Sequence, residues 1–449
     1  MPARNLQPVI DHSMCIGCGA CAAADPSVSI VFNDFTQMYQ PDSPGGEEAA
    51  AVCPAVQVDF EFLQRRLFPG QPPGPLGVLE KAFLAQSRDY QRNLNSSSGG
   101  LIKELLHLLI RRDDIDGVIC LQHVDRLVYE PRLLTDPDQI DRLGGSIYHN
   151  ISFANALRLL RENTGRYVLV AIPCQLEGIY SYIFKQAPEL RERIAFTIGL
   201  LCGWTFSHHA LRAICDFKGI PFDSIEMVTY RGGGPVGPLR IQAGGRLHKI
   251  HRRIDLDYQV AFDRSFNLPR CHLCINHGNF LADIVVGDAW LPSTVRTRTG
   301  ISLLLCRARE SVARVEELAA AGRIVHVEAT ADDVLESQTR RSAYGDFAYA
   351  LADCLKSQGQ FVPDMTGPNR VAAHLADPDD AASYHRAYLK HRRLQFERKY
   401  RALRLRKLTV GLPQISRRYF RWFFIRLLKI DRVFRRERKP VPKHMEIFR

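Results

Sequence analysis

The sequence predicts an α/β protein on a mixed sheet, with α+β as the alternative. Three observations carry this. Short apolar runs at 118–121, 167–172 and 194–201 read as buried strands, and they alternate with segments of helical period. The stretch 68–77, with four prolines and three glycines, cannot sit in a helix or a sheet interior, so it reads as a linker after a small N-terminal module. The charge divides sharply along the chain. Residues 386–449 carry 22 Lys and Arg against 4 Asp and Glu, which leaves the rest mildly acidic although the whole chain is at +12.

These boundaries predict five parts: a module at 1–67, two halves of a core at 78–165 and 166–327, a helical extension at 328–385, and a basic tail at 386–449. A turn at PDSPGG leads into a short helix that delivers Cys53. A helix is expected over 101–110, and a short buried strand over 282–290 ending in GDAW. On a helical wheel the tail separates Arg417, Arg418, Arg421, Arg426, Lys429 and Arg432 from Tyr419, Phe420, Phe423, Phe424, Leu427 and Ile430. Such a helix suits an anionic membrane surface or a protein partner. Nucleic-acid binding would rest on the tail alone and is disfavoured. No run of 18 apolar residues is present and the N-terminus has no signal-peptide core, so the expected place is the cytoplasm, with peripheral attachment through the tail.

The twelve cysteines point to metal rather than disulfides in a reducing compartment. Cys15, Cys18 and Cys21 form C-x2-C-x2-C. Gly17 and Gly19 let that loop curl and bring backbone N–H groups to the sulfurs. Cys53, followed by proline, supplies a fourth thiolate after a gap of 31 residues, and the set reads as a ligand for one [4Fe-4S] cluster. Structural zinc is the alternative, but four-cysteine zinc sites favour paired C-x2-C knuckles. Cys271 and Cys274 form a lone C-x2-C. Cys174 and Cys202 follow two expected strands, so the four could make a second site; spacing alone leaves zinc, redox or chance open. Cys120, Cys215, Cys306 and Cys354 read as buried small hydrophobes. The adjacent His208 and His209 point in different directions and read as structural rather than metal-binding.

Two glycine turns can hold an anion. The Ser97-Ser98-Gly99-Gly100 run opens the expected helix at Leu101 and offers free N–H groups to a phosphate, although a plain serine cap is the simpler alternative. Gly145-Ser146 with Tyr148 is a second such turn.

Taken together, CIGCGAC with CP, SSSGGLIKELL, GSIY, IPCQLEGI, LCGW, YRGGGPVGPLRI, CHLC, ADIVVGDAW and GISLLLCRA resemble the coenzyme F420 hydrogenase/dehydrogenase beta-subunit family. That family includes 7-hydroxymethyl chlorophyll a reductase and ferredoxin-type divinyl chlorophyllide 8-vinyl reductase. The resemblance covers roughly residues 15–307 and leaves the tail without a counterpart. It implies FAD and two [4Fe-4S] clusters, the second on Cys174, Cys202, Cys271 and Cys274. It places Ser97, Ser98, Gly99, Gly100, Gly145, Ser146, Tyr148, Gln175, Asp283, Gly287 and Asp288 near the flavin. The implied activity is an oxidoreductase joining a one-electron carrier such as ferredoxin to a two-electron, small-molecule acceptor. The alternatives are a relay subunit without its own substrate and a zinc-bearing binding protein. Tyr148, His149, Asp288 and His277 are the candidate proton donors.

Overall fold

The apolar runs build a sheet of eight strands: β1 (Lys81–Ser87), β2 (Gly117–Asp125), β3 (Val128–Leu134), β4 (Tyr167–Ala171), β5 (Ile194–Leu200), β6 (Ile284–Asp288), β7 (Ser302–Cys306) and β8 (Ile324–Ala329). Their spatial order is β8-β1-β7-β6-β5-β4-β2-β3. β2, β4, β5 and β6 run parallel to one another, and the pairs β2–β3, β6–β7, β7–β1 and β1–β8 are antiparallel. The inner strands are near-continuous Val, Ile and Leu because helices or other elements cover both faces. The edges are blunted: β3 carries Glu130, Pro131 and Arg132, and β8 carries His326 and Glu328. The computed structural model describes residues 4–367, apart from 75–76, 235–236, 253–254, 263–265, 292, 295–296 and 298. The tail at 386–449 and the end of the 328–385 extension lie outside the described residues.

The expected strand at 118–121 is longer than its apolar run. It extends to Asp125 and turns back at Arg126, whose φ is 48°, into β3. Cross-strand pairing extends it where the sequence turns polar. Between β5 and β6 lies an excursion with a small antiparallel sheet of Ile225–Thr229, Leu239–Ala243 and Arg246–Ile250. Gly244 and Gly245, at φ 56° and 71°, make its tight hairpin turn. This sheet and the helix His209–Lys218 share their own apolar cluster, separate from that of the main sheet.

The N-terminal module packs the helix Ala20–Ala24 against helices Glu47–Val52, Ala154–Glu162 and Pro173–Gln186. One apolar core runs from Leu6 and Val9 through Val52 and Phe60 into β4 and β7. The extension opens with helix Ala331–Ser357, capped reciprocally by Thr330 and Asp333, and its strand Asp364–Thr366 pairs in parallel with Gln57–Asp59 of the module.

What positions the site is strand direction. The carboxyl ends of β4, β5 and β6 share one edge of the sheet, and β7 begins there, since Asp288 pairs with Ser302. In open α/β sheets ligands bind outside the carboxyl ends of parallel strands.

Candidate functional site

Cys15, Cys18, Cys21 and Cys53 are all buried, each less than a tenth exposed. Burial pushes the Cys15 thiol up to about 12 and Cys53 up to about 11, and holds Cys18 and Cys21 well above the ordinary thiol range. The four lie close enough that a charge on Cys53 raises each of the others. Backbone N–H groups oppose this: Gly17 and Ile16 donate to Cys15, Ala20 to Cys18, Ala22 to Cys21, and Ala55 and Val56 to Cys53. The Gly17 amide lies 3.3 Å from the Cys15 sulfur. Gly17 and Gly19 take φ of 75° and 80°, and a Cβ on either would stand 2.2 Å from the backbone of Ile151 or Ala154. The curl of this loop and its seating therefore both need glycine.

Cys174, Cys202, Cys271 and Cys274 form a second group. Cys174 is raised first by burial, then by Glu177 and by the other three cysteines. Cys174 lies in the first turn of helix Pro173–Gln186, Cys202 follows β5, and Cys271 and Cys274 lie on and after the short 3-10 turn Pro269–Leu273. The Thr205 amide donates to the Cys271 sulfur at 3.4 Å. Among the described residues no group of three or more His, Cys, Asp or Glu is placed to hold a single metal ion.

The two groups meet across one helix. Cys174 and Gly178 are a turn apart, about 6 Å along the axis, and a Cβ on Gly178 would lie 2.6 Å from the Cys18 sulfur. Between them, Glu177 accepts from Arg270 at 3.3 Å and from Asn276 at 2.9 Å. Both members of the ion pair are buried. Burial pushes Glu177 up, against the pull of Arg270 and Asn276.

Beside both groups a cavity opens at the carboxyl edge of the sheet, with about 1690 Å³ of open space including its mouth. Its wall takes Ile16 from the first cysteine loop and Cys202 from the second group, with Ser97, Gly145, Arg231 and Asp288 around it. The two glycine turns are fastened together, because the Ser146 amide donates to Ser97 Oγ at 2.8 Å. Arg231 organises the polar side. Its guanidinium grips Asp288 with both terminal nitrogens, at 3.0 and 2.9 Å, and donates to the Tyr148 hydroxyl at 3.0 Å and to the Ser97 carbonyl. Burial alone would lower Arg231, but Tyr148 and Asp288 outweigh it and hold it above the ordinary guanidinium range.

Residues 82–158 match the family described as the N-terminal part of the coenzyme F420 hydrogenase/dehydrogenase beta subunit, and residues 164–332 match the one described as its C-terminal part. The chain is a member of the coenzyme F420 hydrogenase/dehydrogenase beta-subunit family. Among its relatives, a subunit of the F(420)H(2) dehydrogenase of Methanosarcina mazei is 25% identical over 323 residues, covering 67% of this chain and 84% of the relative. The coenzyme F420-dependent sulfite reductase of Methanocaldococcus jannaschii is 23% identical, covering 66% of this chain and 46% of that protein. The beta subunit of the coenzyme F420 hydrogenase of Methanosarcina barkeri is 23% identical, covering 50% and 77%. A chain of the solved F420-reducing [NiFe] hydrogenase complex from Methanosarcina barkeri shares the fold at a TM-score of 0.50 and 17% identity, covering 66% of this chain and 99% of its own. The relatives named are oxidoreductases or their subunits, which gives this family member a redox role.

Several expected site residues of this family member stand on the cavity wall: Ser97, Ser98, Gly100, Gly145, Ser146, Tyr148, Gln175, Gly287 and Asp288. Two do not. Asp283 immediately precedes β6, at the end of the strand opposite the cavity, where its carboxylate accepts from the Thr197 amide and hydroxyl, both at 2.7 Å. Its place beside GDAW in the sequence misled, because a strand separates its ends by its own length. Gly99 faces away from the cavity: its amide donates to Ser302 Oγ, and a Cβ there would stand 2.6 Å from the Ala85 carbonyl.

Of the proton-donor candidates, His149 lines the cavity but its ring is committed. Nε2–H donates to the Leu127 carbonyl at 3.0 Å, so Nδ1 accepts from the Tyr230 hydroxyl at 2.8 Å. Burial, with His208 nearby, holds His149 well below the usual histidine range. His277 lies off the cavity, against the Cys202 carbonyl at 2.7 Å. Asp288 anchors Arg231, and Tyr148 presents its hydroxyl beside that cation. His208 bonds the Asn150 carbonyl. Cys120, Cys215 and Cys306 are buried, and Cys120 also reaches the cavity wall. Arg231, Arg270 and Glu177 were not singled out from sequence. Only the glycine run after Arg231 marks its loop as unusual, and nothing local marks the other two.

Proposed function

We propose that this chain is an iron–sulfur flavoprotein that passes electrons between a one-electron carrier of ferredoxin type and a two-electron acceptor. The observation that carries this reading is the cavity wall: one opening is lined by Ile16, between two cysteines of the first group, and by Cys202 of the second.

The donor set fits clusters. Eight thiols fall into two groups of four, the first buried and the second half-buried, and amides point at the sulfurs of the first group and at Cys271. Iron–sulfur clusters are held by four thiolates and tuned by such amides. Thiols raised this far by burial stay protonated unless a cationic group draws off the proton, as a coordinated metal does. Cys15, Cys18, Cys21 and Cys53 would hold the first cluster, and Cys174, Cys202, Cys271 and Cys274 the second.

The cavity fits a flavin nucleotide. Ser98 and Gly100 stand at the N-terminus of helix Leu101–Leu109, where backbone N–H groups suit a pyrophosphate. Asn150 Nδ2, on the cavity wall, is buried without a hydrogen-bond partner among the described residues. When bound, FAD would accept or give an electron pair, and clusters would carry single electrons. This chain's own residues hold the loops together through Ser97, exclude water behind Ile147 and Leu201, and present the Tyr148 hydroxyl as the proton source. Arg231 fixes that hydroxyl and would stabilise negative charge developing beside it.

A relay role without its own substrate is favoured by two of the relatives, which are named as subunits of larger enzymes. The discriminating experiment is anaerobic reductive titration followed by a screen of acceptors. Uptake of about four electrons per chain is expected, two by flavin and one by each cluster. Turnover of an organic acceptor by the isolated chain supports the enzyme, and reduction only of a partner protein supports the relay. An uptake of zero sinks both.

A further inference from the structure

We infer that the buried Glu177–Arg270 pair is a shared positioning element that sets the reduction potentials of both proposed clusters together. This rests on the two-cluster reading above. Arg270 belongs to both groups by contact: it adjoins Cys271 in the chain, and its guanidinium donates to the Pro54 carbonyl beside Cys53 at 3.3 Å and to the Leu273 carbonyl beside Cys274 at 3.1 Å. Glu177 lies beside the same groups, on helix Pro173–Gln186. It stands three residues after Cys174 and one before Gly178, where a Cβ would lie 2.6 Å from the Cys18 sulfur. Both side chains are almost wholly buried, at 1% and 3% exposure, so solvent screens neither.

A buried ion pair contributes little net stability compared with an apolar replacement. A hydrogen-bonded pair set beside both cysteine groups has another use, because cluster potentials follow local charge and hydrogen bonding. The pair sets a cation and an anion, 3.3 Å apart, beside both groups. Changing either charge must move both clusters in the same direction.

The test is potentiometric titration of the full chain followed by electron paramagnetic resonance. Glu177→Gln, which keeps the side-chain shape and removes the anion, should raise both midpoint potentials. Arg270→Gln should lower both, and Arg270→Lys, which restores the charge, should return both toward wild type. Glu104→Gln removes a different buried carboxylate, held by Arg92 and Arg323 away from the thiols, and should move neither. Should one of these chains fail to fold, the oppositely signed variant still decides. With about eight irons bound, a shift in only one cluster, or in neither, overturns the inference alone. A wild-type chain that binds no iron overturns the two-cluster reading, and the inference with it.

Discussion

Gly178→Ala separates a structural cysteine from a ligating one. Gly178 is interior to the helix Pro173–Gln186, where alanine normally gains about 1 kcal/mol over glycine. The added Cβ would stand 2.6 Å from Cys18 Sγ, 3.0 Å from its Cβ and 3.3 Å from Ala20 Cβ. Overpacking of this kind costs about 1–3 kcal/mol when neighbours cannot move. A free thiol can rotate away from the 2.6 Å contact, and the tight Cβ contacts with Cys18 and Ala20 offset part of the helical gain, so the metal-free chain should stay within about 1 kcal/mol of wild type. A sulfur fixed to iron has no such freedom, and the collision then falls on the cluster. The assay is iron and acid-labile sulfide per chain after anaerobic purification, with thermal unfolding of the metal-free form. The expected result is loss of the first cluster, from about eight irons to about four, with the second retained. A variant that keeps its full iron complement and an unchanged first-cluster spectrum would refute the reasoning.

Three further outcomes are expected. Tyr148→Phe should slow reduction of the two-electron acceptor by about 10²- to 10⁴-fold while leaving cluster reduction by the one-electron donor unchanged; an unchanged rate in stopped-flow absorbance would leave Tyr148 as an anchor for Arg231 only. Burial lowers His208 to about 4 from 6.5 and holds His149 well below the usual histidine range, so both fold as neutral rings. Their stabilising effect is fully present above about 6.5 and is lost as pH falls toward about 4, with His208 accounting for about 3 kcal/mol; urea midpoints measured across that range should fall, and should fall less in His208→Gln. Deleting residues 417–449 should abolish co-sedimentation with anionic liposomes at low salt, and unchanged co-sedimentation would exclude a membrane role for the tail.

The parts of the fold that depend on local pattern were legible in sequence. The buried strands announce themselves as β-branched runs, and Gly17 and Gly19 mark the cysteine curl, since little else tolerates a left-handed backbone there. The order of the strands was not legible, because pairing β7 between β6 and β1 is decided by packing across some two hundred residues. The small sheet of the 201–283 excursion was missed although Gly244-Gly245 is a hairpin signal. The site was half readable for the same reason. Cys174 and Cys202 sit after strands whose direction places them together. Glu177 and Arg270 are 93 residues apart and meet only because helix and C-x2-C loop pack on the same module. Asp283 shows the converse: three residues of strand separate it from Gly287 and carry it out of the cavity.

The central claim is that eight thiols, four buried and four half-buried, and one cavity form a single electron path. The direct measurement is metal, sulfide and flavin content of the full chain purified without oxygen. The account predicts about eight irons, about eight sulfides and one FAD per chain. Stoichiometric zinc with no flavin would contradict it.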